Sequence, residues 1–98
     1  PNHPHKKSNL ILQNLRSIKH NEEISQIKKA IDISEKGFRR VLSFVKPGVW
    51  EYEIEAEFSF IFIKNCSKGF AYSPIIASGY NNNTLHYTQN NSKCKSGD

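Results

Sequence analysis

One histidine is the side chain in this sequence best placed to carry chemistry. His86 lies between Leu85 and Tyr87, directly after a turn that contains Gly79 and three asparagines at 81–83. Functional side chains often lie at such loop positions, and histidine can bind a substrate or carry a proton near neutral pH. On these residues alone, a structural or surface histidine is the simpler interpretation.

Four glutamates and two cysteines are the other reactive groups. The glutamates are Glu51, Glu53, Glu55 and Glu57. Paired carboxylates can serve as general acid and base, but this dense alternation is more typical of a solvent-facing surface. Cys66 and Cys94 are too few for a disulfide framework, and we expect reduced, unreactive thiols.

Composition argues against two classes of partner. The 98 residues carry 14 Lys and Arg against 9 Asp and Glu, a formal charge of +5. The basic residues are scattered among acids and not interleaved with aromatics, so we expect no nucleic-acid binding. The longest apolar run, 60–63, is far shorter than the ~20 residues of a membrane-spanning helix, so we expect no membrane segment.

The clearest predicted element is a helix over 21–45. Its apolar residues follow helical spacing, with Gly37 inside the run, where it would permit close packing. Asn21 is the expected N-cap, and Pro47-Gly48 should end the helix. The apolar stripe is expected to face the core, and it consists of Ile24, Ile27, Ile31, Phe38, Val41, Leu42 and Val45.

The other segments are less regular. Residues 1–20 have the pattern of a linker, a short strand over 10–18, or the end of an earlier element. Apolar and polar residues alternate over 51–63, which predicts a strand, although a helix also fits. Short strands are expected over 71–77 and 85–88, separated by a turn. From composition and spacing alone, the chain is an α+β piece.

The order of several short motifs resembles a known family. From about Leu15 to Asp98 the chain resembles the start of the catalytic domain of Xaa-Pro aminopeptidases, which are pita-bread metallopeptidases like the prolidases and methionine aminopeptidases. The resembling motifs are Leu15-Arg16-Ser17-Ile18-Lys19, residues 27–33, Lys46-Pro47-Gly48-Val49, residues 71–79, Leu85-His86-Tyr87 and Lys95-Ser96-Gly97-Asp98. Tyr87 after the histidine is similar to the proline-specific branch and not to methionine aminopeptidases.

The resemblance implies a fold. It predicts a partial pita-bread architecture of two helices followed by the first antiparallel strands. Residues 1–20 would end a preceding domain or form a linker, and residues 21–98 would begin the catalytic domain. For 51–65 the resemblance predicts a second helix, against the strand that the alternation predicts. At the start of this helix the chain has Trp50, where relatives often carry a small or polar residue that could cap the helix.

The resemblance also implies a function. Such enzymes remove the residue before a penultimate proline, using two divalent ions, often manganese. Their carboxylate and histidine ligands are expected downstream of Asp98, so this chain would contain no catalytic residue or metal ligand and would be inactive alone. His86 matches the family's substrate-binding histidine. Prolidase, or a pita-bread binding module without metal, are the alternatives.

Further expectations concern partners and location. The substrate would be a proline-containing peptide. A homo-oligomer is expected because half a sheet leaves exposed edges. The cytoplasm is the expected compartment.

Overall fold

Three helices and a short 3₁₀ helix make up the regular structure of residues 5–98. The computed structural model describes the backbone of residues 5–98 and the side chains of residues 8–98. The elements are α1 (His5–Ser17), α2 (Asn21–Phe44), α3 (Glu51–Lys64) and a 3₁₀ helix (Gly79–Asn83). Among residues 5–98, no helix is long and apolar enough to cross a membrane.

The first twenty residues contain a helix and not the short strand considered for 10–18. Helix α1 carries Leu10, Leu12 and Leu15, which are all largely exposed. Within its described residues, α1 contacts neither α2 nor α3, whereas those two helices pack on each other. The division into residues 1–20 and 21–98 stays a prediction, and its first four residues lie outside the described part.

Helix α2 begins one residue earlier than the predicted cap at Asn21 implied. His20 occupies the N-cap position, and its backbone N–H donates to Oε2 of Glu23 at 2.9 Å. Glu23 therefore satisfies a backbone donor at the helix start and places a negative charge at the positive end of the helix dipole. The helix ends at Phe44, shortly before Pro47 and Gly48 as expected.

The face of α2 that packs on α3 is not the predicted stripe. Its buried residues are Ile33, Gly37 and Val41, of which only Val41 belonged to that stripe. The other six stripe residues are exposed, because within residues 8–98 no element packs over them. They are Ile24, Ile27, Ile31, Phe38, Leu42 and Val45.

Gly37 allows the two helices to approach closely, as the sequence predicted. A Cβ added at this position would lie 2.9 Å from Cδ1 of Phe58 and 3.1 Å from Cε1 of Phe62. Those distances are shorter than ordinary van der Waals contact. A larger residue at 37 would therefore push α3 away from α2.

Residues 51–64 form a helix, so the strand suggested by their alternation is wrong and the helix implied by the resemblance is confirmed. The N-terminus of α3 shows why a helix forms here. Trp50 at the N-cap offers no oxygen acceptor, but its backbone N–H donates to Oε2 of Glu53 at 3.1 Å. Glu51 and Glu53 lie in the first turn, which favours a helix start.

The segment after α3 folds back over the start of that helix. The N–H of Gly48 donates to the carbonyl of Cys94, and the N–H of Cys94 donates to the carbonyl of Val49, both at 2.8 Å. Trp50 and Lys93 form an isolated antiparallel bridge. The small core beneath consists of Val41, Val49, Ile54 and Cys94.

The strands expected at 71–77 and 85–88 are not formed, and no strand occurs within residues 5–98. For 71–77, the physical reason is visible at Ile76 and at Ser78, the residue that follows the segment. The N–H of Ile76 donates to Oδ1 of Asn90, and the N–H of Ser78 donates to Oε1 of Glu51, each at 2.9 Å. Side chains thus replace the neighbouring strand that would otherwise satisfy this backbone.

Candidate functional site

A buried glutamate lies at the centre of the polar region around His86. Glu51 is the first residue of α3 and has an exposed fraction of 0%. The prediction that the glutamates at 51–57 form a solvent-facing surface is therefore wrong for Glu51. The helix start turns this side chain under the 78–92 segment, where water cannot reach it.

Five hydrogen bonds surround the Glu51 carboxylate. Oε1 accepts bonds from the N–H and the hydroxyl of Ser78, at 2.9 and 3.1 Å, and from Nδ2 of Asn81 at 2.9 Å. Oε2 accepts bonds from the hydroxyl of Tyr87 at 2.6 Å and from the N–H of Ser92 at 2.9 Å. All five donors are neutral, so the carboxylate is held by dipoles and not by an opposite charge.

The balance of burial and hydrogen bonding sets the charge state of Glu51. Burial away from water raises the pKa of this carboxyl, but the bonds from Tyr87, Asn81, Ser92 and Ser78 outweigh that effect and lower the pKa to about 2. Hydrogen bonds to the ionised form favour it. Glu51 is therefore a buried anion at neutral pH.

Asn90 makes a second polar junction beside the first. It is 2% exposed and has a left-handed backbone with φ of 47°. Its Nδ2 donates to the carbonyl of Pro74 at 3.0 Å and to Oε2 of Glu55 at 3.1 Å, and its Oδ1 accepts the bond from Ile76. Asn90 thereby ties the 74–76 segment to α3.

His86 lies on the outer side of this region. Its side chain is exposed, as is Leu85, whereas the next residue, Tyr87, is 7% exposed. The backbone of His86 has φ of 52°, in the left-handed region that non-glycine residues seldom occupy. A non-glycine residue held there persists where the surrounding structure fixes it, which is frequent at functional sites.

The other reactive residues are not brought together. Cys66 is exposed and Cys94 is buried in the small core. Within the described residues, no three His, Cys, Asp or Glu side chains come close enough to hold a metal ion. Asp98 instead closes a turn, since its Oδ2 accepts a bond from the N–H of Lys95 at 2.8 Å.

Comparison with known proteins identifies the family. The model of metallopeptidase family M24 matches residues 25–98. The chain belongs to this family. A probable Xaa-Pro aminopeptidase of Pyrenophora tritici-repentis is 43% identical over 76 residues, which cover 78% of this chain and 12% of that protein. The Xaa-Pro aminopeptidase of Escherichia coli is 31% identical over 88 residues, which cover 90% of this chain and 20% of that protein.

A solved structure supports the fold of this M24 chain. Prolidase from Pyrococcus furiosus matches with a TM-score of 0.79 and 28% identity, over 87% of this chain and 25% of that one. The partial pita-bread assignment is therefore confirmed for the helical part, while its strands are not. The chain spans a quarter or less of the length of these three relatives.

Two central residues of the site escaped sequence reasoning. Alternation groups Glu51 with Glu53, Glu55 and Glu57 and does not separate it from them. The signal that separates it is its position directly after the Pro47-Gly48 turn, at a helix start. Asn90 lies in a polar stretch, and nothing in its local sequence distinguishes it from Asn91.

Proposed function

We propose that the protein carrying this M24 chain is a metal-dependent exopeptidase that removes the N-terminal residue from peptides with proline in the second position. The observation that carries the proposal is the similarity, over most of this chain, to proteins named Xaa-Pro aminopeptidase in fungi and in Escherichia coli. The substrate class would then be proline-containing peptides.

His86 is the residue we assign to substrate binding. Its exposed side chain and left-handed backbone support this role, since both are typical of a side chain presented to a ligand. A histidine in this position would hydrogen-bond the peptide near the bond to be cleaved. His86 would thus act on the substrate and not on a metal.

We place the metal pair on residues outside the part of the chain that the structure describes. The described side chains do not fit a metal site, because no three potential ligands converge. Divalent metal use follows from the family, which is a metallopeptidase family. Manganese remains our proposal for the metal, with ligands downstream of Asp98, and we derive no step of the reaction through it.

Prolidase activity is the second candidate. The match to prolidase from Pyrococcus furiosus favours it. The two activities differ in whether the site accepts a chain beyond the proline. A dipeptidase would cleave Xaa-Pro but not Xaa-Pro-Xaa.

The decisive experiment uses the longer protein that contains this sequence. Hydrolysis of an Xaa-Pro-Xaa tripeptide and of an Xaa-Pro dipeptide is measured with manganese and then with a chelator, with the 98-residue chain as control. We expect manganese-dependent release of the first residue of the tripeptide by the longer protein alone. Cleavage of the dipeptide only would favour prolidase. No hydrolysis by a folded protein would favour a binding module without metal.

His86→Ala tests the substrate role in the same assay. Loss of a hydrogen bond to the substrate should lower kcat/KM by about 10- to 100-fold without changing the metal content. His86→Gln is the matched variant, since its amide retains a hydrogen-bonding group, and we expect it to lose less. An unchanged kcat/KM in His86→Ala would remove His86 from the site.

We also propose a homo-oligomer in the cytoplasm. The exposed apolar stripe of α2 supports the first part, because such faces are commonly buried against another surface. Sedimentation of the purified protein tests the assembly, and a monomer at all concentrations would contradict it. Cell fractionation tests the compartment.

A further inference from the structure

The Glu51 carboxylate connects parts of the chain that lie on both sides of His86. Ser78 and Asn81 precede the histidine, Tyr87 follows it directly, and Ser92 lies beyond. A single buried group therefore anchors the segment at its beginning, at Tyr87 next to the histidine, and at its end. That arrangement differs from an ordinary helix cap, which would bind only its own backbone.

The turn that carries His86 has little else to hold it. Within residues 8–98, no hydrogen bond joins the backbone of residues 85–89 to another segment of the chain. The side chain of Tyr87 makes the connection instead, since its hydroxyl donates to Glu51 at 2.6 Å and accepts a bond from Nδ2 of Asn81 at 3.1 Å. The N–H of Asn91 also donates to this hydroxyl, at 3.4 Å.

We propose that Glu51 is a positioning residue that fixes the direction of the His86 side chain by holding Tyr87 and the two flanks of the turn. The inference rests on the proposed substrate role of His86 and deepens it. The left-handed backbone of His86 needs a restraint from its surroundings. Tyr87 is the adjacent anchor, and Glu51 holds that anchor.

The first test is kinetic and uses the longer protein. Glu51→Gln keeps the shape of the side chain but replaces one acceptor oxygen by a donor NH₂, which cannot accept the bonds from Tyr87 and Ser92. We expect kcat/KM on the tripeptide to fall by about 10- to 100-fold, because a small misplacement of a binding group is enough for such a loss. Glu57→Gln is the matched control on the same helix, and it should stay within about twofold.

The second test separates positioning from general damage. In a double-mutant cycle, Glu51→Gln is combined with His86→Ala. If Glu51 acts through His86, the double variant should be no slower than His86→Ala alone. Losses that multiply would show that Glu51 acts independently of His86, and that result would overturn the proposal.

The third measurement does not depend on activity. Hydrogen exchange at the amides of Ser78 and Ser92, and the amide-to-α-proton coupling of His86, report the state of the turn directly. In Glu51→Gln we expect faster exchange at both amides and loss of the left-handed coupling at His86. Unchanged values for all three would overturn the proposal.

These measurements distinguish failure of the proposed substrate role of His86 from failure of the positioning role of Glu51. If the wild type is active but His86→Ala is fully active too, the substrate role of His86 fails, and with it the kinetic part of the inference. Exchange and coupling then decide whether Glu51 still fixes the turn. If Glu51→Gln does not fold, Tyr87→Phe takes its place in the same cycle, since it removes the 2.6 Å bond and keeps the ring.

Discussion

Two regions of this chain reverse the usual distribution of side chains. On the outer face of α2, Ile31, Phe38 and Leu42 are 61%, 57% and 63% exposed. At the start of α3, the charged Glu51 is 0% exposed. Apolar side chains thus lie at the surface while a carboxylate occupies the interior.

The difference shows that available partners decide burial as much as side-chain class does. An unpaired buried charge is very unfavourable, but Glu51 meets five donors that replace its lost water. The α2 stripe has no covering element within the described residues. Each feature yields a different expectation for mutation.

Glu51→Ala should have the largest effect on stability. It leaves the buried hydroxyl of Tyr87 and the half-buried donors of Ser78, Asn81 and Ser92 without their acceptor, and each unsatisfied donor is unfavourable. We expect a loss of about 3 kcal/mol or more in the free energy of unfolding, measured by urea titration. Glu35→Ala on the exposed face of α2 is the control and should change little. Equal losses in the two variants would contradict a stabilising role for the hydrogen bonds around Glu51.

The pH dependence of stability should follow from the same carboxylate. The pKa of Glu51 is lowered to about 2 in the fold, below the ordinary value of about 4.3. The unfolded chain therefore binds the proton more readily, so this stabilisation is complete above about pH 5 and is lost as the pH falls towards about 2. We expect a loss on the order of 3 kcal/mol over that range.

Urea titrations at stepwise pH check this expectation. Glu51→Gln supplies the comparison, because it has no group at this position that titrates. The difference in unfolding free energy between wild type and Glu51→Gln should shrink as the pH falls. A difference that stays constant from neutral to acidic pH would contradict the lowered pKa.

Helical spacing along the sequence predicts α2. The start of α3 could not be predicted from spacing alone. Helical spacing and the Pro47-Gly48 stop place α2 within a residue or two of its observed bounds. For 51–64, alternation favoured a strand. The helix is favoured because Glu53 accepts the N–H of Trp50 and because the helix dipole favours acidic residues in the first turn. Family resemblance, not periodicity, anticipated that result.

The hydrogen-bonded group around Glu51 could not be predicted from the local sequence pattern. The contact between Glu51 and Ser92 spans 41 residues, and that between Glu51 and Tyr87 spans 36. Periodicity concerns neighbours along one element, so it contains no information on such pairs. His86 was singled out by its place beside a turn, but the residues that hold the turn emerge only when the chain is folded.

Gly37→Val should have an intermediate effect, because it tests the packed face of α2 against the exposed one. The added side chain would meet the rings of Phe58 and Phe62, where a single Cβ is already too close. Overpacking of this kind lowers the free energy of unfolding by about 1–3 kcal/mol. Ser34→Val, one turn earlier on an exposed position, is the control. A Gly37→Val chain as stable as the wild type would mean that α2 and α3 are further apart in solution.

Leu42→Gln should have the smallest effect, because this side chain is 63% exposed and loses little burial on substitution. We expect the free energy of unfolding of the monomer to change by no more than about 0.5 kcal/mol. Val41→Ala, at the neighbouring buried position, is the contrast and should lose about 1 kcal/mol or more. If Leu42→Gln instead lowers stability in a way that depends on protein concentration, the stripe is buried between copies. That outcome would remove the contrast between the two regions and support the proposed homo-oligomer.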